Sequence, residues 1–231
     1  MRSTGAIFRK QAQDLFRNRM MLIQFVIFPI MAFVLTEFVA KADSEIPNSM
    51  FITMFAAMFA GMTPLVMTSG AISEDRERNS LRFLMMAGVR PHEYLIGISG
   101  FTFLACSLVS VLFGVIGGFV NIELVKFSSI LVLGSCASIL LGASIGLLAK
   151  NQQAATAVST PVFMILSFSP LVAQFNEDFA ELTKYLYTQQ INTVINNLTD
   201  NITDSILIVI TNIAVLLVLF ILAYKKCKLN G

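Results

Sequence analysis

Six uninterrupted apolar runs, each about as long as a bilayer is thick, constrain this chain more than any other feature of it. They are Met20–Ala40, Met50–Ile72, Tyr94–Val120, Phe127–Ala149, Ala154–Gln174 and Ser205–Tyr224. A helix needs about 20 mostly apolar residues to cross the hydrocarbon core. The runs are continuous and lack the alternation of a barrel strand, so helices are the expected spanning element. Of the 231 residues, 56% are hydrophobic and 13% charged, whereas an ordinary soluble domain is about 25% charged. A soluble enzyme, a disordered tail and a nucleic-acid binder all fit this composition poorly. The expectation is an all-α membrane protein forming one transmembrane unit over residues 1–231.

The charges give this unit a direction. Of 16 Lys and Arg, all but Lys41, Lys126 and Lys184 lie in segments 1–19, 73–93, 150–153 and 225–231. The positive-inside tendency places those segments, and both termini, in the cytoplasm, with the protein in the plasma membrane. The first basic segment precedes a run too long for a signal h-region, so no cleaved signal is expected. No Asp, Glu, Lys, Arg or His lies in the middle of a span, and Glu37 sits near the outer end of the first. Ionisable groups inside the bilayer mark ion and proton pathways. Their absence weighs against a carboxylate-type coupled carrier, while carriers that coordinate ions through backbone carbonyls remain open. Cys106, Cys136 and Cys227 form no CxxC pair, so neither a disulfide framework nor a zinc site is indicated.

Residues 1–19 read in one of two ways. They form an amphipathic interfacial helix, with Ile7, Phe8, Leu15 and Phe16 toward lipid and Arg9, Lys10, Arg17 and Arg19 toward headgroups, or a plain basic flank that sets topology. The outer stretch 175–204 is too apolar for a solvated loop, which predicts short helices on or dipping into the outer leaflet. Gly134, Ser138, Gly142 and Gly146 recur every fourth residue and make a narrow ridge where another helix can approach closely. That ridge serves either packing within the chain or a contact between subunits. Pro29, Pro64, Pro161 and Pro170 predict kinks or breaks in their spans.

The segment 73–93 is the most specific. Dense mixed charge, Glu74-Asp75-Arg76-Glu77-Arg78, follows the second span. Ser80 is placed to cap a short helix, and Leu81, Leu84 and Met85 lie at helical spacing on one face. Gly88 ends that helix and Arg90-Pro91 turns the chain back toward the bilayer. A short apolar-faced helix between two spans fits either docking into a groove of a soluble partner or an ordinary loop on the headgroups.

This segment resembles the signature of ABC-2-type exporter permeases, in which a Glu-x-Glu-x-Gly-Thr-Leu pattern leads to Leu-Leu, a Pro and an aliphatic return into the membrane. The matching residues are Glu74 or Asp75, Glu77, Leu81, Leu84, Pro91 and Leu95-Ile96-Gly97. Asn79-Ser80 stands where that family usually has Gly-Thr; Asn tolerates left-handed backbone and Ser caps as Thr does. The resemblance implies that 73–93 carries a coupling helix seated in a cleft of a separate ATP-binding subunit. Glu74, Asp75 and Glu77 would then meet basic residues of that subunit, and Leu81, Leu84 and Met85 would fill its groove, with Pro91 closing the element. It further implies a second permease chain, identical or not, and outward transport powered by ATP and magnesium bound on the partner. No GxxxxGK[ST] loop occurs in the chain, so no cofactor and no ATP hydrolysis are expected in it. A secondary carrier and a non-transporting scaffold or accessory subunit are the competing readings. An intramembrane hydrolase lacks its residues, because the one histidine, His92, lies outside the spans.

Overall fold

A computed structural model of the chain describes residues 2–17, 19–42, 47, 49–198 and 203–227. The predicted side-chain positions of Phe16, Arg17, Arg19 and Met85 lie outside what is described. Helix α1 spans Arg2–Arg17 and α2 spans Arg19–Leu35, the latter continuing as a π-helical turn over Thr36–Ala40. Then follow α3 (Met50–Glu77), α4 (Ser80–Met86), α5 (Pro91–Ile116), α6 (Asn121–Leu148) and α7 (Gln152–Ala173). Two short helices, α8 (Glu177–Thr183) and α9 (Tyr187–Asn196), precede α10 (Thr203–Cys227). Among the described residues, 6 helical stretches are long and apolar enough to cross a membrane: α2 with its π turn, α3, α5, α6, α7 and α10. The chain is an all-α membrane protein, with no strand among the described residues.

Helices α3 and α6 form the centre. In their most apolar windows 72% of residues are buried, against 28% for the first span and 17% for α10. The small ridge of α6 makes this possible. A Cβ at Gly142 would strike the backbone carbonyl of Leu65, and one at Gly146 would meet the Ser69 carbonyl oxygen at 2.9 Å. Gly134 lies against Ile191 of α9 and Ala60 of α3. Contacts therefore advance together along both helices, from Ala60 through Leu65 to Ser69, so α3 and α6 run parallel with their backbones touching. Without a hydrophobic drive between helices in lipid, such close approach is what holds them.

Ser138, the one hydroxyl on that ridge, meets a specific need. Proline has no N–H, so Pro64 inside α3 leaves the carbonyl of Ala60, four residues earlier, without its helical donor. Ser138 Oγ donates to that carbonyl at 2.5 Å. Ser138 Oγ also lies 2.6 Å from the Tyr187 hydroxyl. With the serine proton committed to Ala60, Tyr187 is the donor in this second bond. One side chain thus joins α3, α6 and α9. The α3–α7 seam is polar as well: Ser69 and Ser159 share a bond of 3.0 Å, and Ser167 Oγ donates to the Met58 carbonyl at 3.2 Å.

Helix α9 does not lie on the surface. Tyr187, Thr188, Ile191, Val194 and Ile195 are buried, and the helix wedges among α3, α6, α7 and α10. The apolar outer stretch therefore dips into the bundle. At the opposite end α1 lies along α5. Its apolar side, predicted to face lipid, is turned to protein instead. Ile7 and Leu15 are buried, and Phe8 meets Phe101 edge-on with ring centroids 5.3 Å apart. Gly97 admits this contact, since a Cβ there would come within 2.8 Å of Ile7. Burial against a fitted protein surface satisfies an amphipathic face as well as lipid does.

Candidate functional site

The charged segment after the second span is helix, not loop. Helix α3 continues past Ile72 to Glu77 because its charged last turn finds partners on several sides. Successive helical residues point about 100° apart, so five consecutive charges reach different neighbours. Glu74 pairs with Arg78 at 2.9 Å on the solvent-facing side of the helix. Asp75 points inward, with its side chain 6% exposed, and binds Lys10 Nζ of α1 at 2.5 Å. The hydroxyl of Tyr94 in α5 donates to the other carboxylate oxygen at 3.0 Å. Arg76 donates to the carbonyls of Leu147 and, at 2.8 Å, Ala149. These are terminal acceptors of α6 that no helical N–H serves. Glu77 accepts the backbone N–H of Gln152 at 2.9 Å, in the first turn of α7. Within one turn and a half, α3 is tied to α1, α5, α6 and α7.

The short helix α4 follows at once. Asn79 takes a left-handed φ of 57°, which reverses the chain, and its carbonyl accepts the Phe83 N–H at 3.2 Å. Gly88, at φ 87°, ends the element in a conformation that disfavours a side chain. Pro91 then opens α5 from its first turn, where a missing N–H is harmless. Leu81 is buried and Leu84 half-buried against a cluster that includes Ile7, Ile72, Tyr94, Leu95 and Leu147. The other side of α4 exposes Phe83 (65%) and Met86 (66%).

The structure therefore separates residues that the sequence groups together. Glu74 and Glu77 remain at the surface, although both have partners. Asp75 is closed off, and Leu81 and Leu84 hold α4 to the bundle instead of facing outward. Phe83 and Met86, which the sequence reading passed over, form the outward apolar pair. Both Leu81/Leu84 and Phe83/Met86 are spaced for one face of a seven-residue helix, so periodicity alone gives no choice between them. Lys10 and Tyr94, the partners of Asp75, carry no local signal, being far from it in sequence. Among the described residues no group of three or more His, Cys, Asp or Glu is placed to hold a metal ion.

Comparison with known families bears on this end of the molecule directly. A family model described as ABC-2 type transporter matches residues 2–177, a stretch that includes α1 to α7 and the whole charged segment. No curated protein matches the chain.

Proposed function

The chain belongs to the ABC-2 type transporter family, and from that premise we propose that it is the transmembrane permease of an ATP-driven exporter. Two permease chains form the substrate pathway, and a separate ATP-binding subunit supplies the energy. The basic end, carrying α1, α4, the α6–α7 turn and the end of α10, faces the cytoplasm. The uncharged spans favour an amphipathic or hydrophobic cargo.

The observation that carries this reading is the two-sidedness of α4. Phe83 and Met86 stand exposed on a helix whose other side is fixed to the bundle. Exposed aromatic and methionine side chains on a small rigid element are suited to a hydrophobic groove. A push on α4 acts first on the adjoining end of α3, whose Asp75, Arg76 and Glu77 grip α1, α5, α6 and α7. Movement of the ATP-binding subunits is thereby delivered to five helices at once. The chain contributes no residue to ATP chemistry; its part is mechanical.

Co-purification with the ATP-binding subunit tests this. Phe83→Asp with Met86→Asp weakens the complex about tenfold or more, as loss of a buried interface anchor does, and abolishes stimulation of its ATPase. The fold survives, because both side chains are largely exposed in the free chain. Retention of complex and stimulated ATPase by this double variant rejects α4 as the docking element.

A further inference from the structure

Helices α7 and α10 diverge over α6 at the basic end. Helix α10 packs on α6 and α9, and α7 packs on α3, while α9 bridges α7 and α10 at the far end. The result is a cleft of about 640 Å³, floored by Leu141, Ile145 and Leu148 and walled by Val158 on one side and Leu219 and Leu222 on the other. Leu148, Val158, Leu219 and Leu222 are all about half exposed. Two cations complete the lining, Lys150 in the α6–α7 turn and Lys226 in the last turn of α10. Both are exposed, and neither has an acidic partner among the described residues.

We propose that this cleft holds one anionic phospholipid of the adjoining leaflet, its acyl chain along the α6 floor and its phosphate between Lys150 and Lys226. Charge complementarity selects the occupant. An apolar trough does not hold water, so at membrane depth a hydrocarbon chain fills it. Two lysines in its lining favour a head with net negative charge, as basic pockets between spans do. A zwitterionic head brings its own cation to the same place and gains less. The three lysines outside the basic segments lack this setting: Lys41 and Lys184 are paired with Glu37 and Glu181, and Lys126 donates to the Leu198 carbonyl.

Native mass spectrometry of the full-length protein, released from micelles containing dioleoyl phosphatidylglycerol or dioleoyl phosphatidylcholine, tests the assignment. The phosphatidylglycerol adduct predominates. Lys150→Gln with Lys226→Gln weakens it about twenty-five-fold, roughly fivefold for each lysine. Lys41→Gln with Lys184→Gln leaves it unchanged. Val158→Trp, which fills the cleft and keeps both lysines, also removes the adduct while the protein still elutes as a single folded species. Equal binding of the two lipids, or persistence of the adduct in either cleft variant, overturns the proposal. Displacement by inorganic phosphate at equal concentration overturns it in favour of a phosphate site. Dissociation of a dimer by Val158→Trp overturns it in favour of a second copy seated in the cleft.

Discussion

At Asp75 a carboxylate is closed off from solvent and held by one cation and one phenol. Removing a partner from a buried acceptor exposes its desolvation penalty, about 1–3 kcal/mol. Lys10→Met and Tyr94→Phe are therefore each expected to lower thermal stability in detergent. A double-mutant cycle of Lys10→Met with Asp75→Asn should show positive coupling, because the neutral amide no longer needs the lysine. Additive losses would mean that the 2.5 Å pair contributes nothing. Glycine at 142 makes a sharper contrast. Gly142→Ala places a methyl against the Leu65 carbonyl and is expected to destabilise by about 1–3 kcal/mol through overpacking. Gly70→Ala meets nothing within 4 Å and is expected to be neutral or stabilising, by up to about 1 kcal/mol of helix propensity. Equal melting shifts for the two would remove the close-approach account of the α3–α6 pair.

At the scale of elements, proline in α3 and serine in α6 form one device. Pro64 frees the Ala60 carbonyl and Ser138 takes it. In a Pro64→Ala background the helical N–H is restored, so Ser138→Ala should lose less stability there than in the native chain. The difference is expected to be about 1 kcal/mol, the usual size of an interhelical hydrogen bond in membranes, and equal losses in both backgrounds would refute the pairing. The two sides of α4 separate in the same manner. Leu84→Glu sets a charge into the cluster around Tyr94 and is expected to lower the melting temperature, whereas Phe83→Asp is not. Helix existence and type at these places are legible in the sequence: a left-handed Asn79, a stop at Gly88 and a start at Pro91 follow from side-chain chemistry alone. Which side of α4 turns outward is not, since it depends on the α1–α3–α5 surface beneath it.

The whole molecule is built around two parallel central helices with the remaining spans leaning on them. Orientation in the membrane is a property at this scale, and it is testable. If the basic end is cytoplasmic, a membrane-impermeant maleimide added to intact cells labels Lys184→Cys on the α8–α9 side. Cys227 then reacts only after permeabilisation. Labelling of Cys227 in intact cells would invert the topology and take α4 away from any cytoplasmic partner. The lipid cleft belongs to this scale too, being made by the divergence of α7 and α10 and not by any one helix.

The sequence by itself determined that the chain crosses a bilayer, how many helices do so, which end is basic and where the short helix between the second and third spans lies. Each of these follows from local quantities: hydropathy over one helix length, the placement of charges, and the backbone preferences of Asn, Gly and Pro. Tertiary structure alone decided which apolar helices are central and which face lipid, because all six satisfy the same hydropathy requirement and only packing distinguishes them. It decided equally that Asp75 belongs to an internal junction and Phe83 and Met86 to the surface. A charge or an apolar stripe takes its role from the partner set opposite it, and those partners come from helices far away in the chain.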